Sequence, residues 1–168
     1  MEIFTDGGCI GNPGPGGYGV VFMDKGQIIT EYSQGFKQTT NNRMEYRACI
    51  KALEIVKAKN LHNVTLYTDS KYVLESVTNW GHKWKRLGWA RNSSGSKQIE
   101  NLDLFKCCYL LNADLDIQWQ WVKGHAGNLG NERADTLANS AATWPKSQQI
   151  EDEEVILPLE NGAQGALF

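Results

Sequence analysis

An α/β fold is predicted for this chain: a mixed five-stranded sheet flanked by helices. Three features of the sequence predict it. The first three apolar segments are separated by glycine-rich or polar turns, which reads as an antiparallel meander. A long amphipathic segment then leads into an apolar strand, and a helix between strands calls for a parallel crossover. A further helix, strand and helix complete the chain. The 168 residues, 41% hydrophobic and 21% charged, fit one soluble domain with a substantial core. No apolar run approaches the length of a membrane span, and the N-terminus lacks signal-peptide character. Cys9, Cys49, Cys107 and Cys108 form no C-x-x-C pair, so they are read as free thiols of a reducing cytoplasm.

The first strand, Glu2 to Asp6, ends on an acid and runs into a glycine-rich loop, Gly7 to Gly19. Alternation places Phe4 and Asp6 on one face, so burying Phe4 holds Asp6 at the core's edge. Asp6 is then a paired core residue, a metal ligand or a turn-starting Asp before Gly7. Tyr18 to Met23 and Ile28 to Phe36 read as the next two strands. Polar Thr39-Thr40-Asn41-Asn42 ends the third strand, and Asn42 is the expected cap of a helix from about Arg43 to Lys59. Cys49, Ala52, Leu53 and Val56 form its apolar face, and Glu45 lies one turn earlier on that face. Glu45 either closes a capping box or points toward the sheet. Val64 to Thr68 is a strand followed by Asp69, parallel to the first. Asp6 and Asp69 thus fall at carboxyl ends of strands, where open α/β sheets build their sites.

Lys71 to Thr78 is a short predicted helix. Between Glu75 and Glu100 no acid occurs, while Lys83, Lys85, Arg86, Arg91 and Lys97 alternate with Trp80, Trp84 and Trp89. Such a segment is either a solvated helix face or a surface for nucleic-acid backbones and sugars. Asn92 to Ser96 is a flexible loop, Ile99 to Asn112 a helix and Leu115 to Val122 the fifth strand. A mobile loop, Lys123 to Gly130, carries His125. The last helix runs from Asn131 to Ala142, with Asp135 beside the stripe Ala134, Leu137, Ala138 and Ala141. The net charge of −2 conceals an asymmetry: residues 147–168 hold five acids and no Lys or Arg, leaving 14 acids and 17 bases in residues 1–146.

Four carboxylates, Asp6, Glu45, Asp69 and Asp135, are therefore expected to converge. Clustered carboxylates repel and hold protons unless cations neutralise them. Hard oxygen donors without thiols suit Mg²⁺ or Mn²⁺, and a pair of such ions suits phosphodiester cleavage. His125 is a candidate for proton transfer beside them.

These motifs carry a resemblance. Asp6-Gly7-Gly8-Cys9 with Gly11 to Gly19, Thr39 to Glu45, Thr68-Asp69-Ser70, Trp121 to Gly127 and Asn131 to Asp135 occur in order over residues 2 to about 142. In this the chain resembles bacterial ribonuclease H type 1. The resemblance implies sheet order 3-2-1-4-5 and cleavage of the RNA strand of RNA–DNA hybrids, leaving 5′-phosphate and 3′-hydroxyl ends. It implies that Asp6, Glu45, Asp69 and Asp135 bind two Mg²⁺ with substrate, Mn²⁺ substituting, and that His125 is a general acid/base. It matches Cys9, Asn12, Asn41, Asn42 and Ala126 to contacts in the hybrid's minor groove, where amides suit ribose hydroxyls. It matches Thr40 and Asn101 to a pocket for a DNA phosphate, and Trp80 and Phe105 to a channel for deoxyribose. Residues 80–97 look like the family's basic protrusion, with Lys83, Trp84, Lys85 and Arg86 toward substrate. Three departures stand out: Lys71 where many relatives have Gln, Leu87 where a base is usual, and Phe105 where Trp is common. Lys71 is expected to contact a phosphate.

The body is read as residues 1–146 and the remainder as an acidic tail, 147–168. The tail ends Gln164-Gly165-Ala166-Leu167-Phe168. Leu167 and Phe168 either fold back on the body, belong to a simply disordered tail, or dock on a partner. Gln164, Leu167 and Phe168 resemble the short peptide with which bacterial replication proteins bind the sliding clamp. A monomer with no membrane association is expected.

Overall fold

The computed structural model describes residues 1–156. Five strands, β1 (Glu2–Cys9), β2 (Gly14–Asp24), β3 (Gln27–Thr39), β4 (Val64–Thr68) and β5 (Ile117–Trp121), form one sheet. Its order is β3-β2-β1-β4-β5, as expected. The first three strands pair antiparallel, whereas β4 pairs parallel with both β1 and β5. The helices are α1 (Asn41–Ala58), α2 (Lys71–Glu75), α3 (Gly81–Arg86), α4 (Leu102–Ala113) and α5 (Leu129–Ala142). Alternation divides the core between two sheet faces. Ile3, Val20 and Phe22 join the large cluster with α1 and α4, while Phe4, Val21 and Met23 pack with Ala134 of α5. No helix among the described residues is long and apolar enough to cross a membrane.

The glycine-rich stretch corrects the predicted loop. β1 continues through Gly7 and Gly8 to Cys9, paired with β2 back to Gly16, and the strands turn only around residues 10–13. The glycines serve close packing rather than a loop. A Cβ on Gly19 would lie 2.3 Å from the Ala134 carbonyl oxygen, and one on Gly35 2.3 Å from that of Ala141. Thus α5 rests directly on the backbone of β2 and β3, and its alanine stripe is what permits that approach.

Several boundaries move. Thr40, not Asn42, caps α1: its hydroxyl accepts from the Arg43 backbone N–H at 3.3 Å. The helix expected to stop at Thr78 continues through a π-helical turn, Ser76–Trp80, into α3. The next helix begins at Leu102 rather than Ile99, because Asn101 adopts a left-handed conformation (φ 53°).

The described part of the acidic segment lies on the body. Ile150 bridges in parallel to Phe36 at the edge of β3, its N–H donating to the Gly35 carbonyl at 3.0 Å. Asp152, an acid of the charged run, is bound by Arg43, Arg47 and Thr39. Gln164, Leu167 and Phe168 lie outside the described residues.

Candidate active site and nucleic-acid interface

The parallel ladder between β1 and β4 ends at Thr5 opposite Thr68. Asp6 and Asp69 are the next residues on each strand, so register alone sets them side by side. The first turn of α1 brings Glu45 to the same place. One carboxylate oxygen from each of Asp6, Glu45 and Asp69 falls within 4.8 Å of the others. Asp135, on α5, stands outside this tight group but near enough to raise the proton affinity of Asp6 and Asp69.

Glu45 does not cap its own helix. Its Oε1 accepts from the Gly7 backbone N–H at 3.3 Å, and its Oε2 is buried without a partner. Burial, followed by Asp6 and Asp69, pushes its carboxyl well above the ordinary range. Burial and Asp69 push Asp6 up to about 8. Burial and then Asp135 raise Asp69, partly offset by Asp6 and His125. Buried carboxylates that repel, one with an orphaned oxygen, are a donor set that fits a hard divalent cation.

His125 lies exposed on the loop before α5, with φ 55°, on the Asp69 side of the cluster. The loop passes close to Asp69, where a Cβ on Gly124 would lie 2.9 Å from Asp69 Oδ2, and it is tied by the Gly127 N–H, which donates to Glu132 Oε1 at 3.2 Å. Ala126 is exposed between them.

A relay of amides orders the neighbouring surface. The Cys9 N–H donates to Asn41 Oδ1 at 2.8 Å, and the Asn41 N–H to Asn12 Oδ1 at 3.1 Å. With both oxygens engaged, the two NH₂ groups remain as donors. Asn12, Thr40, Asn41, Asn42 and Asn101 line one open cavity of about 590 Å³. Glu100 belongs both to this cavity and to a second, of about 420 Å³, lined also by Tyr72, Trp80, Trp84 and Arg91.

The second cavity corrects one expected contact. Trp80 is 39% exposed, but Phe105 is fully buried. Phe105 packs edge-on against Trp84, ring centroids 5.1 Å apart, and backs the wall instead of facing substrate. Around buried Trp84, the side chains of Lys83, Lys85 and Arg86 are exposed on α3.

Sequence reasoning gave no site role to Tyr72, Glu100 or Trp121. Trp121 ends β5, and its indole N–H donates to the Asp69 carbonyl at 3.1 Å. Its ring carries the Lys71 ammonium 4.4 Å from its centroid. The usable signal was the register of β4 with β5, which pairs Thr68 with Trp121.

Comparison with known proteins agrees with this geometry. The RNase H family model matches residues 1–143. The ribonuclease H of Citrobacter koseri is 47% identical over 150 residues, covering 89% of this chain and 94% of that protein. That of Salmonella paratyphi C is 48% identical over 148 residues, covering 88% and 92%. The crystal structure of LC9-RNase H1, a type 1 RNase H with the type 2 active-site motif, superposes with a TM-score of 0.73 at 34% identity, covering 88% of this chain and 72% of that one. LC11-RNase H1, solved in complex with an RNA/DNA hybrid, gives a TM-score of 0.62 at 28% identity, covering 84% and 95%. The carboxylate cluster on this sheet and the relatives spanning most of the chain lead to one conclusion: the protein belongs to the ribonuclease H family, as a bacterial type 1 member.

Proposed function

We propose that the carboxylate cluster is the centre at which this ribonuclease H hydrolyses the RNA strand of RNA–DNA hybrids, leaving 5′-phosphate and 3′-hydroxyl ends. The observation that carries the assignment is the convergence of Asp6, Glu45 and Asp69 within 4.8 Å, with Asp135 adjoining. These four would hold two Mg²⁺ with substrate, and Mn²⁺ would substitute. Cations bound there supply Lewis-acid chemistry: activation of water and neutralisation of charge at the cleaved phosphodiester.

The chain's own groups do the rest. Asp6 and Asp69 are fixed by the end of the β1–β4 ladder, and Glu45 by its bond to Gly7. That rigidity keeps their oxygens converged before substrate arrives. His125, exposed beside Asp69, accepts or returns a proton at the leaving side. Asn12 and Asn41 offer donors to ribose and base edges in the minor groove. Cys9, Asn42 and Ala126 complete that wall. Thr40 and Asn101 grip a phosphate of the DNA strand, while Trp80 and Trp84 form the face for deoxyribose. Lys71, seated on Trp121, and Lys83, Lys85 and Arg86 on α3 neutralise backbone phosphates. The reading extends to a cytoplasmic monomer, supported by four free thiols among the described residues. It also includes docking of Gln164, Leu167 and Phe168 on the sliding clamp, which a peptide of residues 161–168 without clamp affinity would refute.

A gel of labelled hybrid, double-stranded RNA and double-stranded DNA, with and without Mg²⁺, tests the assignment. Only the RNA of the hybrid is cleaved. Asp69→Asn removes an anionic oxygen without changing shape, so it abolishes cleavage while hybrid binding persists; His125→Ala retains measurable activity. Cleavage by Asp69→Asn at the wild-type rate refutes the site.

A further inference from the structure

Arg43 has no donor left for substrate. Its Nε donates to Asp152 Oδ2 at 2.7 Å. Nη1 donates to Asp103 Oδ1 at 2.9 Å and to Asn101 Oδ1 at 3.4 Å. Nη2 donates to Asp103 Oδ2 at 2.9 Å and to Asp152 Oδ1 at 3.3 Å. These bonds use all five N–H groups of a guanidinium. An arginine saturated in this way, beside a cavity assigned to a phosphate, acts on its neighbours.

Two of those neighbours are the walls of that cavity. The Arg43 backbone N–H donates to Thr40 Oγ1, and its side chain holds Asn101 by the amide oxygen. Engaging Asn101 Oδ1 turns the NH₂ away from Arg43, leaving donors for an anion. Asn101 sits at φ 53° and makes no cap bond to α4, so its own helix does not orient its side chain. Arg43 is the contact that does.

What fixes Arg43 is the C-terminal strap. Asp152 is 3% exposed in its side chain, and it also accepts from Thr39 Oγ1 at 2.6 Å and Arg47 Nε at 2.8 Å. The strap is tied at both ends: Ile150 bridges to β3, and the Val155 N–H donates to Asp103 Oδ2 at 3.0 Å. Asp103 is thereby bound to the strap and to Arg43 at once.

We infer that the strap around Asp152 is part of the substrate grip: Asp152 is a positioning residue that, through Arg43, sets the Asn101 amide toward the DNA phosphate. The inference rests on the reading of Thr40 and Asn101 as a phosphate pocket. Its energetic content is pre-organisation, since an amide already oriented need not be ordered when substrate binds. The effect belongs in KM, because the phosphate lies away from the scissile bond.

A double-mutant cycle tests it on the full chain, with a short RNA–DNA hybrid and Mg²⁺, below each variant's unfolding transition. Asp152→Asn raises KM roughly 2- to 10-fold, the range that ordering one side chain covers, and leaves kcat near wild type. Asn101→Ala raises KM as well. Adding Asp152→Asn to Asn101→Ala raises it no further, because the residue through which Asp152 acts is gone. A merely structural strap lowers thermal stability but leaves KM alone. Asp103→Asn, which loosens Arg43 from the other side, repeats the cycle where Asp152→Asn folds poorly. Independent, multiplicative effects overturn the inference. So does a normal KM in Asp152→Asn when Asn101→Ala is impaired, and the phosphate pocket then stands. A normal KM in Asn101→Ala overturns the pocket itself, and the inference with it.

Discussion

Replacing Asp6 by Asn is expected to stabilise the metal-free protein while destroying its activity. The folded chain holds the Asp6 proton up to about pH 8, through burial and Asp69, whereas the unfolded chain releases it near 3.8. Across that window the unfolded state binds fewer protons, so stability falls as pH rises. Below it both states are protonated and the penalty is absent; above it the penalty is complete. At ~1.4 kcal/mol per tenfold, the displacement from 3.8 to about 8 sets a ceiling of about 6 kcal/mol. Asp6 shares that repulsion with Glu45 and Asp69, so about 2 kcal/mol is expected from one replacement. For a chain of this size that is a rise in Tm of about 4–8 °C. Calorimetry in EDTA at several pH values measures it. The gap between variant and wild type widens from about pH 4 to about pH 8. Excess Mg²⁺ then narrows it, since cations relieve the repulsion in wild type. An Asp6→Asn variant less stable than wild type at pH 8 in EDTA refutes the reasoning.

The proposed role of the exposed bases of α3 is sequence-independent phosphate contact, so changing Lys83, Lys85 and Arg86 together to Ala is expected to raise KM and flatten its salt dependence. Each lost contact lowers the log–log salt slope by somewhat under ~1; an unchanged slope shows a merely solvated helix face. Burial raises the Asp103 and Asp152 carboxyls, but Arg43 together with the Val155 N–H at Asp103, and with Thr39 and Arg47 at Asp152, outweighs it and holds both below 3.8. The stability they contribute is present above about pH 4 and lost as pH falls through their lower folded values. Arg43→Met takes the guanidinium from two carboxylates, 9% and 3% exposed, and costs about 1–3 kcal/mol at pH 7, below the cost of a fully unpaired charge because Arg47 and Thr39 still hold Asp152 and the Val155 N–H still holds Asp103. Urea unfolding shows a smaller deficit in strong acid; a deficit independent of pH excludes the ion-pair account.

The sheet and the carboxylates were legible because they rest on local signals. Alternation marks the strands, a helix before β4 makes it parallel to β1, and a strand followed by Asp puts that Asp at the carboxyl end. What was not legible depends on contacts between distant segments. Asp152 reads as one acid in a run of four, and only the bridge at Ile150 brings it to Arg43. Phe105 occupies a position that resemblance assigns to substrate, yet it is fully buried among Trp84, Trp89 and Tyr109. Trp121 alternates with Trp119 like any strand residue, and its tie to Asp69 follows only from register. The glycines misled for a related reason: glycine marks both turns and close packing, and here α5 decides between them.

Close packing also bears on the site itself, at Gly7. This glycine follows Asp6 and donates its N–H to Glu45, so β1 and α1 meet at backbone contact beside two proposed ligands. A Cβ there would lie 2.3 Å from the Met44 carbonyl carbon and 2.6 Å from the Glu45 nitrogen. These are backbone atoms inside a helical turn and cannot rotate aside. Gly7→Ala therefore pushes the first turn of α1 off the sheet, at a cost of about 1–3 kcal/mol. The displacement carries Glu45 away from Asp6 and Asp69, so Mg²⁺ affinity falls even where the fold survives. Gly8 is the matched comparison, because a Cβ there finds only Asn41 Oδ1 at 3.7 Å, an ordinary contact. Calorimetric titration with Mg²⁺, without substrate, separates the two: Gly7→Ala binds the cation several-fold more weakly, and Gly8→Ala binds it as wild type does. Equal Mg²⁺ affinity in a folded Gly7→Ala variant shows that the approach of α1 to β1 does not set the ligand geometry, and that Glu45 reaches the site by side-chain freedom alone.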